Sequence, residues 1–529
     1  MKTKYIATIT GRKCISLFSL FILIIVASGC QKNFEKFNTD QTGISNGNLD
    51  ITTVFKPLQH ELFHNYQTAQ NLSSDGFGGY MMSPTPFKAA YDLNYFLVDG
   101  WDSNGFNDMY TYIYAPVNKI AATGIRKTLP DFWAIALIVK VEAMHRVTDK
   151  FGPIPYSQVG KSLVATPYDS QQSVYNQFFL ELDTAVNNLQ SYVAANPGKT
   201  PFQNYDLLYN GDYTKWIKFA NSLRLRLAMH IVKADPATAK LEGEKALANI
   251  GGLMSAPSDD AAVTVTTGTS DLYTVTHDWG DNRLNATIGT YLTGYNDPRL
   301  SIYAAPATDP AVAGQYTGIR IGAALAAKDD YEGYASLNTS TTFTPLKPEQ
   351  LMCAAESWFL KAEAGLRGWT GAGDPQTNYE KGVQVSMQQW GANIGNYLSD
   401  ATSTQAAYVD PKNAANNSPA VSSITIKWDA GATNEQKLER IMTQKWLAMF
   451  PEGQEAWTEF RRTGYPKLFT VVNNKSNGTI DTQVQVRRLA YPQNEYSTNG
   501  AAVRSAVQQL GGPDNGGTRL WWDVNKANF

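Results

Sequence analysis

One stretch near the C-terminus, Arg440–Pro466, constrains the fold more than any other part of this chain. It has the sequence RIMTQKWLAMFPEGQEAWTEFRRTGYP. The apolar residues of its first half and of the turn before it recur at helical spacing: Leu438, Ile441, Met442, Met449 and Phe450. This spacing predicts one apolar face of a helix that ends at Phe450. Pro451 cannot continue that helix, because it lacks an amide hydrogen and its ring clashes with the preceding turn.

A second helix is predicted directly after this proline, which is tolerated in a first helical turn. Three of its residues share one face: Ala456, Trp457 and Phe460. Arg461 and Arg462 fall in the last turn, where cations suit the helix dipole, and Gly464 and Pro466 end the helix. Two short helices with an aromatic seam form a hairpin. Such a hairpin buries its apolar side only by stacking on similar units.

The same stretch resembles a known family. The run QKWLAMFPEGQEAWTEFRRTGYPKL is similar to the C-terminal signature of the SusD/RagB family of surface nutrient-binding lipoproteins. Further segments resemble that family over most of the chain: FGPIPY, GDYTKWIKFANSLRLRLA, DPRL, FLKAEAGLRGW, YEKGVQVSMQQWG and RLAYPQNEY. The resemblance is specific for the family and leaves the ligand open.

The first residues have the organisation of a bacterial export signal. A basic segment precedes an apolar run at 15–27, which is too short to span a bilayer. The small residues immediately before Cys30 resemble a lipobox, with Cys30 as the acylated first residue. We therefore predict a signal peptide at 1–29, a lipidated polar tether at 30–50 and one domain at 51–529. An ordinary cleaved signal that happens to contain a cysteine is the alternative.

Composition excludes some classes of function and of structure. The formal net charge is −2 over 529 residues, which is not the basic footprint of a nucleic-acid-binding protein. Cys14 would leave with the signal and Cys30 would carry lipid, so Cys353 remains alone and no internal disulfide is expected. Cys353 lies in the helical run LMCAAESWFLKAEA, which predicts a buried and inert thiol.

One motif resembles a catalytic site. A helix is predicted over about 51–72, and it contains HELFH at 60–64, which fits the pattern H-E-x-x-H. On a helix, His60 and His64 could hold zinc with Glu61 as the general base. A catalytic zinc also needs a third protein ligand, and the sequence that follows does not complete a metalloprotease pattern. Ordinary surface histidines are the alternative, and a zinc-dependent hydrolase stays open as a rival function.

Residues 73–107 follow no helical or strand period, although eight aromatic residues lie among Gly, Pro, Ser and Asn. Long loops of this kind are functional or disordered, and so many aromatics argue against disorder. Aromatic faces suit stacking on sugar rings. We therefore predict four stacking residues and one hydrogen-bonding residue: Tyr80, Phe87, Tyr91, Trp101 and Asn104. The alternative is that half or more of these rings only pack the loop against the helices behind it.

Residues 253–345 also interrupt the helical pattern. Alternation at 262–265 predicts a short strand, and dense Thr, Gly and Asn predict loops elsewhere. The segment holds a second group of candidates, with Trp279 as a stacking residue and three hydrogen-bonding residues: Asp281, Asn282 and Arg283. We expect this segment and 73–107 to meet, each supplying one wall of a single site.

The remaining sequence predicts further amphipathic helices. Their approximate bounds are 130–150, 170–195, 213–232, 236–250, 348–365 and 375–390. Arg224 and Arg226 lie in one of these helices and are expected to serve helix packing or carbonyl capping. The tail after the C-terminal hairpin is predicted to be loop with aromatic anchors.

The resemblance implies a mainly α fold, in which a tetratricopeptide-like scaffold of about eight paired helices carries long irregular loop insertions. It implies a lipid-anchored protein on the outer-membrane surface of a Gram-negative bacterium. Such a protein captures glycan nutrients and delivers them to a SusC-like TonB-dependent transporter. Capture requires no enzymatic activity, metal or cofactor. A structural lid that binds the transporter but no ligand is the second rival, beside the zinc hydrolase.

Overall fold

In the part of the chain that the structure describes, eight long helices, numbered α1 to α8, form the scaffold, and consecutive helices pack in pairs. The computed structural model describes residues 50–87, 90–161 and 165–529. The scaffold helices are α1 Pro130–Phe151, α2 Gln171–Ala195, α3 Tyr213–His230, α4 Pro236–Ala248, α5 Ala354–Leu366, α6 Pro375–Gln389, α7 Asn434–Met449 and α8 Gly453–Thr463. Contacts of α2 with α3 and of α5 with α7 join the pairs into a stack. The predicted mainly α architecture of about eight paired helices is confirmed.

Local signals set most of these helix ends. Six scaffold helices begin after a side chain that accepts a hydrogen bond from a backbone N–H two or three residues later, which satisfies a donor of the first turn. These residues are Ser170, Asp212, Asp235, Asp374, Thr433 and Glu452. At the end of α8, Gly464 adopts φ +79°, a left-handed conformation that suits glycine. The predicted stop at this glycine is confirmed.

Helix α5 begins later than its sequence predicts. Residues Glu349–Met352, expected in its first turn, form a strand that pairs with Ala261–Val263. The N–H of Ala354, the first residue of α5, donates a 2.7 Å hydrogen bond to Asp260. Pairing with a distant strand has therefore overridden the local helical pattern. The strand expected near Ala262 is confirmed.

The two arginines of α8 are buried rather than exposed at a helix end. Arg462 pairs with Glu363 of α5 and with Glu459 of its own helix. Arg461 donates hydrogen bonds to the backbone carbonyls of Asp149 and Arg487, at 2.6 and 2.9 Å. The helix-dipole interpretation of this pair is thus incomplete, because both residues join α8 to other parts of the chain.

The arginines of α3 serve packing, as predicted. Arg224 donates a 3.2 Å hydrogen bond to the carbonyl of Phe179. Arg226 contacts Glu356 at 2.8 and 2.6 Å and donates to the carbonyl of Leu351 at 3.2 Å. Phe179 and Glu356 lie in scaffold helices and Leu351 lies in the strand before α5, so both arginines are engaged in the interior of the protein.

The single helix predicted over 51–72 is wrong. This region is instead a series of short pieces: a 3-10 turn Ile51–Val54, an α-helix Phe55–His60, a 3-10 turn Glu61–Phe63 and a π-helix Gln67–Asp75. Asn65 adopts φ +52°, which breaks the helical path between the last two pieces. Asparagine tolerates this conformation better than most residues, and its amide donates to Asp108 at 2.9 Å.

The two loop segments contain more short elements than the sequence predicts. They hold helical turns and short helices at Asp92–Asn94, Asp99–Asp102, Asn104–Asp108, Pro257–Asp259, Asp271–Tyr273, Thr274–Asp278, Ala286–Gly294, Leu300–Tyr303 and Lys328–Asp330. The strands are β1 Met81–Met82, β2 Ala261–Val263, β3 Arg283–Leu284, β4 Ala304–Ala305, β5 Ser336–Leu337 and β6 Glu349–Met352. Among the described residues, these strands form three antiparallel pairs, β1–β3, β2–β6 and β4–β5.

Other short helices connect the scaffold: Met109–Tyr114, Ala115–Ala122, Ile125–Thr128, Gln203–Tyr205, Tyr397–Ser399 and Ala414–Asn416. The tail is not all loop, because helices Gln493–Thr498 and Gly500–Leu510 lie within it.

Cys353 is buried and unpaired, as predicted, and burial raises the pKa of its thiol. Within the described ranges, we find no helix with the length and apolar character needed to cross a membrane. The predicted signal peptide, Cys30 and most of the tether lie outside those ranges.

Candidate ligand-binding surface

The two loop segments meet through a short antiparallel strand pair. Met81 lies opposite Leu284 and Met82 opposite Arg283. Because the strands run in opposite directions, the residues that follow β1 lie beside those that precede β3. The expected meeting of segments 73–107 and 253–345 is therefore observed.

Asp281 joins the segments at this point. Its Oδ1 accepts a 2.5 Å hydrogen bond from the Thr85 hydroxyl and contacts Lys328 Nζ at 3.1 Å. Its Oδ2 accepts a 3.2 Å hydrogen bond from Gln67. Three separate parts of the chain thus converge on one carboxylate, which remains partly exposed.

Trp279 presents the most exposed ring of the candidate residues, with 50% of its surface accessible. Its backbone is held on both sides, because its N–H donates to the Thr274 carbonyl at 3.0 Å and its carbonyl accepts from Lys328 at 2.6 Å. Gly280, at φ +63°, turns the chain between Trp279 and Asp281. An exposed ring on a fixed backbone can stack on a ligand at little cost in conformational entropy.

Three predicted stacking residues of the first segment form a cluster. The Phe87 ring lies 5.3 Å from Tyr91 and 5.2 Å from Trp101, both in edge-to-face geometry. Phe87 and Trp101 are half-buried, whereas Tyr91 is buried and its hydroxyl donates to the Ser83 carbonyl at 3.3 Å. Phe87 and Trp101 therefore retain surface for a ligand, and Tyr91 supports them from below.

Three other candidates lie in the interior, and we remove them from the proposed site. Tyr80 is fully buried, stacks on Trp446 and donates its hydroxyl hydrogen to the Trp446 carbonyl. Asn282 donates to Thr276 at 3.0 Å. Arg283 donates to the Glu332 carbonyl at 2.6 Å and to the Asn282 carbonyl at 2.6 Å. Their polar groups hold the loops. For Tyr80 this outcome is the packing alternative given for the rings of 73–107.

Asn104 remains half-buried near the surface, and its amide donates to the Thr68 hydroxyl at 2.8 Å. Sequence reasoning missed Gln67, Thr85 and Lys328, which all contact Asp281. No local pattern could have identified them, since they come from three regions of the chain. We use the name Trp279 surface for the set Gln67, Thr85, Phe87, Trp101, Asn104, Trp279, Asp281 and Lys328.

The H-E-x-x-H motif does not present two histidines on one helix. The helix ends at His60, and His64 lies outside it with φ −53° and ψ +134°. His64 Nδ1 and Glu61 Oε2 are 2.5 Å apart, so the glutamate that would act as a base is engaged by a histidine. This arrangement does not match the geometry that a zinc hydrolase requires.

A different group in the described residues has ligand atoms close enough for a metal: His230, Glu455 and Glu459. All three are buried in the scaffold, and cations already lie among them. Lys445 Nζ is 3.3 Å from Glu459 and 3.7 Å from Glu455. This cluster is therefore a buried ionic network.

Comparison with solved structures gives close matches over almost the whole chain. A chitin-binding SusD homologue from Flavobacterium johnsoniae is 42% identical, with TM-score 0.87, and the match covers 91% of this chain and 100% of that one. A SusD homologue from Bacteroides vulgatus is 38% identical, with TM-score 0.85, covering 90% and 98%. A structure described as a chitin-binding protein is 28% identical, with TM-score 0.73, covering 90% and 100%.

No curated protein matches the chain. The family model for SusD-like proteins, described as SusD and RagB outer membrane lipoprotein, matches residues 31–523. That range takes in the scaffold, both loop segments and almost all of the tail. The paired-helix architecture and the sequence signatures agree with this match, and the chain belongs to the SusD-like family.

Proposed function

We propose that this protein captures a chitin-type glycan, an oligomer of N-acetylglucosamine, on the Trp279 surface. The homologue from Flavobacterium johnsoniae, which is described as chitin-binding and is 42% identical to this chain, supports this ligand class. The observation that carries the site is the half-exposed Trp279 beside Asp281, where two loop segments are joined. Trp279 and Phe87 each lie two residues from the hydrogen bond between Asp281 and Thr85.

The chemistry of this surface suits capture. The apolar face of a pyranose ring stacks on Trp279, Phe87 or Trp101, because these rings offer flat apolar area on a fixed backbone. Hydroxyl and acetamide groups then hydrogen-bond Asp281 and Asn104 at the edge of the rings. Several weak contacts along an oligomer add up, whereas one sugar unit would use only part of them. Binding of this kind needs no nucleophile or general base.

We further propose that lipid on Cys30 anchors the protein at the outer-membrane surface and that a SusC-like TonB-dependent transporter receives the glycan. The family description, an outer membrane lipoprotein, supports the anchor. An acyl chain contributes about 0.8 kcal/mol for each buried CH₂ group, so several chains hold a protein on a membrane without a spanning helix.

The first test is calorimetric titration of the protein with an N-acetylglucosamine hexamer. We expect saturable binding that EDTA does not change. Trp279→Ala should weaken it by roughly thirtyfold, which corresponds to about 2 kcal/mol for loss of a central tryptophan. The control is Trp521→Ala, since Trp521 packs near Tyr175 of α2. Equal losses in both variants would contradict a specific site at Trp279.

Two further results would separate the alternatives. Cys30→Ser should release the protein from the membrane fraction, while an ordinary signal peptide predicts no change. Copurification with a TonB-dependent barrel, in the absence of binding to any glycan in a panel, would favour the structural lid. Loss of glycan binding in EDTA would favour the zinc-dependent hydrolase.

A further inference from the structure

Two buried carboxyl groups follow two of the clustered rings in segment 73–107. Asp92 comes directly after Tyr91, and Asp102 comes directly after Trp101. Asp92 Oδ2 and Asp102 Oδ1 are buried and accept no hydrogen bond from any group that the structure describes. A buried carboxylate oxygen without a donor is costly, so this pair needs a proton or a cation. A metal ion takes several more ligands, and no third acidic or histidine side chain among the described residues completes a metal site here.

The two carboxyl groups interact with each other through a hydrogen bond as well as through charge. Carboxylates are acceptors only, so this bond exists when one of the two groups carries a proton. Burial, and next the negative charge of Asp102, hold the pKa of Asp92 well above its usual range. Burial raises the pKa of Asp102 to about 6. At neutral pH Asp102 is therefore ionised and accepts the hydrogen bond that the protonated Asp92 donates.

Neighbouring charges do not replace this proton. Lys150 acts on Asp102, but its Nζ donates to the Ala69 carbonyl at 2.5 Å, and burial lowers its pKa to about 8. The charge of Lys150 also acts on Asp75, and Asp99 adds a negative charge near Asp102. One lysine therefore serves several acids. Further charged groups on the elements around this segment are Asp108, Asp281, Arg320, Lys475 and Arg487.

The carboxyl pair closes a ring of contacts around residues 91–102. Asp92 Oδ1 accepts from the N–H of Val98 at 2.9 Å. The Val98 carbonyl accepts in turn from the N–H groups of Trp101 and Asp102, at 2.8 and 3.0 Å. The rings of Tyr91 and Trp101 lie 6.5 Å apart, and Phe87 packs against both. A change in the distance between the two carboxyl groups would therefore move Trp101 relative to the rings beside it.

We propose that Asp92 and Asp102 are positioning residues, whose shared proton holds Trp101 in place for glycan capture and whose deprotonation weakens capture. This inference rests on the function proposed for the Trp279 surface. With the proton present, the hydroxyl of Asp92 donates to Asp102 Oδ1. When the proton passes to water, two carboxylates face each other in a buried site, and their repulsion separates the two ends of the segment. The folded protein keeps this proton to higher pH than the unfolded chain does, so the segment loses stability as the pH rises above neutral.

The experiment is a titration of the full chain, purified in detergent, with the N-acetylglucosamine hexamer at pH 7 and at pH 9.5. The test variant is Asp92→Asn, which keeps the oxygen that accepts from Val98 and donates an amide N–H to Asp102 at either pH. We expect the affinity of the parent protein to fall about tenfold between the two pH values, because only the parent loses this donor. The affinity of Asp92→Asn should stay nearly constant.

Two further variants make the result specific. Asp102→Asn, whose new amide donates to Asp92, should give the same flat profile. Asp429→Asn is the matched control and should follow the parent protein, because Asp429 is exposed and lies outside this segment. Lys150 also loses its proton in this range, but it is present in Asp92→Asn, so a profile set by Lys150 would be the same in both proteins. Equal profiles of the parent and Asp92→Asn would overturn the proposal.

Infrared spectroscopy detects the proton without any ligand. The difference spectrum between the parent protein and Asp92→Asn at pH 7 should contain the C=O stretch of a protonated carboxylic acid, and this band should disappear at pH 9.5. Amide hydrogen exchange of residues 91–102 at pH 9.5 should be faster in the parent protein than in Asp92→Asn. If the hexamer binds at neither pH, the proposed glycan capture fails, and these two measurements still decide about the shared proton. A spectrum without the band at pH 7 would overturn the proposal. Circular dichroism of each variant verifies that it is folded.

Discussion

Arg462 donates hydrogen bonds of 2.8 and 2.6 Å to the two carboxylate oxygens of Glu363, and both side chains are completely buried. The pair joins α8 to α5, which lies about one hundred residues earlier in the chain. Glu459 of α8 and Arg367, the residue that follows α5, extend the pair into a larger network, in which Glu459 also contacts Lys445. A bidentate contact of this kind fixes the orientation of one helix against the other. The C-terminal hairpin is therefore part of the scaffold core.

Replacing one partner of this pair should destabilise the protein strongly. Arg462→Met leaves Glu363 and Glu459 buried beside each other with less positive charge, and breaking a buried pair in this way costs about 3–5 kcal/mol. We expect a clear fall in the midpoint of thermal unfolding, followed by circular dichroism. Arg504→Met is the control, since Arg504 is exposed on a C-terminal helix. A midpoint for Arg462→Met equal to that of the control would show that the network does not stabilise the fold.

Much of the scaffold could be predicted because its signals are local. The starts of α3, α4 and α6 follow from an Asp that caps the first turn, together with a regular apolar stripe. Elements with weaker patterns were missed. Ala286–Gly294 is short and rich in Gly and Thr, and only the cap at Asn285 marks its start. Strand β6 was also missed, because its partner β2 lies almost ninety residues earlier.

The candidate surface was predictable only in part, because residue type does not reveal the direction of a side chain in an irregular loop. Tyr80 and Trp279 were equally good stacking candidates, yet one is fully buried and the other is half-exposed. The meeting of the two segments rests on β1 and β3, which are two residues each and too short to carry a period. Lys328 reaches Asp281 from a third region.

Because Tyr80 is buried, a variant at this position tests whether the residue stabilises the fold or contacts the ligand. Tyr80→Phe removes the hydrogen bond to the Trp446 carbonyl and keeps the ring that stacks on Trp446. We expect a loss of about 1 kcal/mol in the free energy of unfolding, the usual net value of one buried hydrogen bond. Affinity for the N-acetylglucosamine hexamer should not change. A thirtyfold loss of affinity with unchanged stability would instead place Tyr80 in the binding site.

The ion pairs of His230 predict that the free energy of unfolding depends on pH. It contacts Glu455 at 3.0 Å and lies 3.4 Å from Asp149. Burial opposes protonation of His230, but these carboxylates outweigh it and raise the pKa to about 9. Since the folded pKa exceeds the unfolded value of about 6.5, the ionic contribution is complete below about pH 6.5 and is lost as pH rises through 9. The difference corresponds to about 3 kcal/mol.

The measurement compares unfolding midpoints of the parent protein and His230→Gln from pH 6 to pH 9.5. The difference between the two midpoints should be largest at pH 6 and should decrease towards pH 9.5, because only the parent protein has a His230 charge to lose. His277→Gln is the control, since His277 is exposed and its ion pair is with its sequence neighbour Asp278. A gap that stays constant with pH would mean that His230 is neutral throughout.

Gly453, in the FPEG turn at the start of α8, lies where a larger side chain would clash with a neighbouring helix. A Cβ at this position would overlap the backbone of Asp75, because α8 begins against the π-helix Gln67–Asp75. Gly78 also approaches this turn closely, since its own Cβ would lie 2.9 Å from the Gly453 carbonyl oxygen. Only residues without a Cβ allow this approach of two backbones.

Gly453→Ala should therefore push α8 away from the Gln67–Asp75 helix and cost about 1–3 kcal/mol, as overpacking in a core does. The control is Gly431→Ala, because a Cβ there meets only the side chain of Asp429, at 3.5 Å, and Gly431 is exposed. Since Gln67 at the other end of that helix contacts Asp281, the displacement should also weaken binding of the N-acetylglucosamine hexamer. Unfolding midpoints and calorimetric affinities of both variants test this link. Full affinity in a destabilised Gly453→Ala would show that the Trp279 surface is independent of the packing at α8.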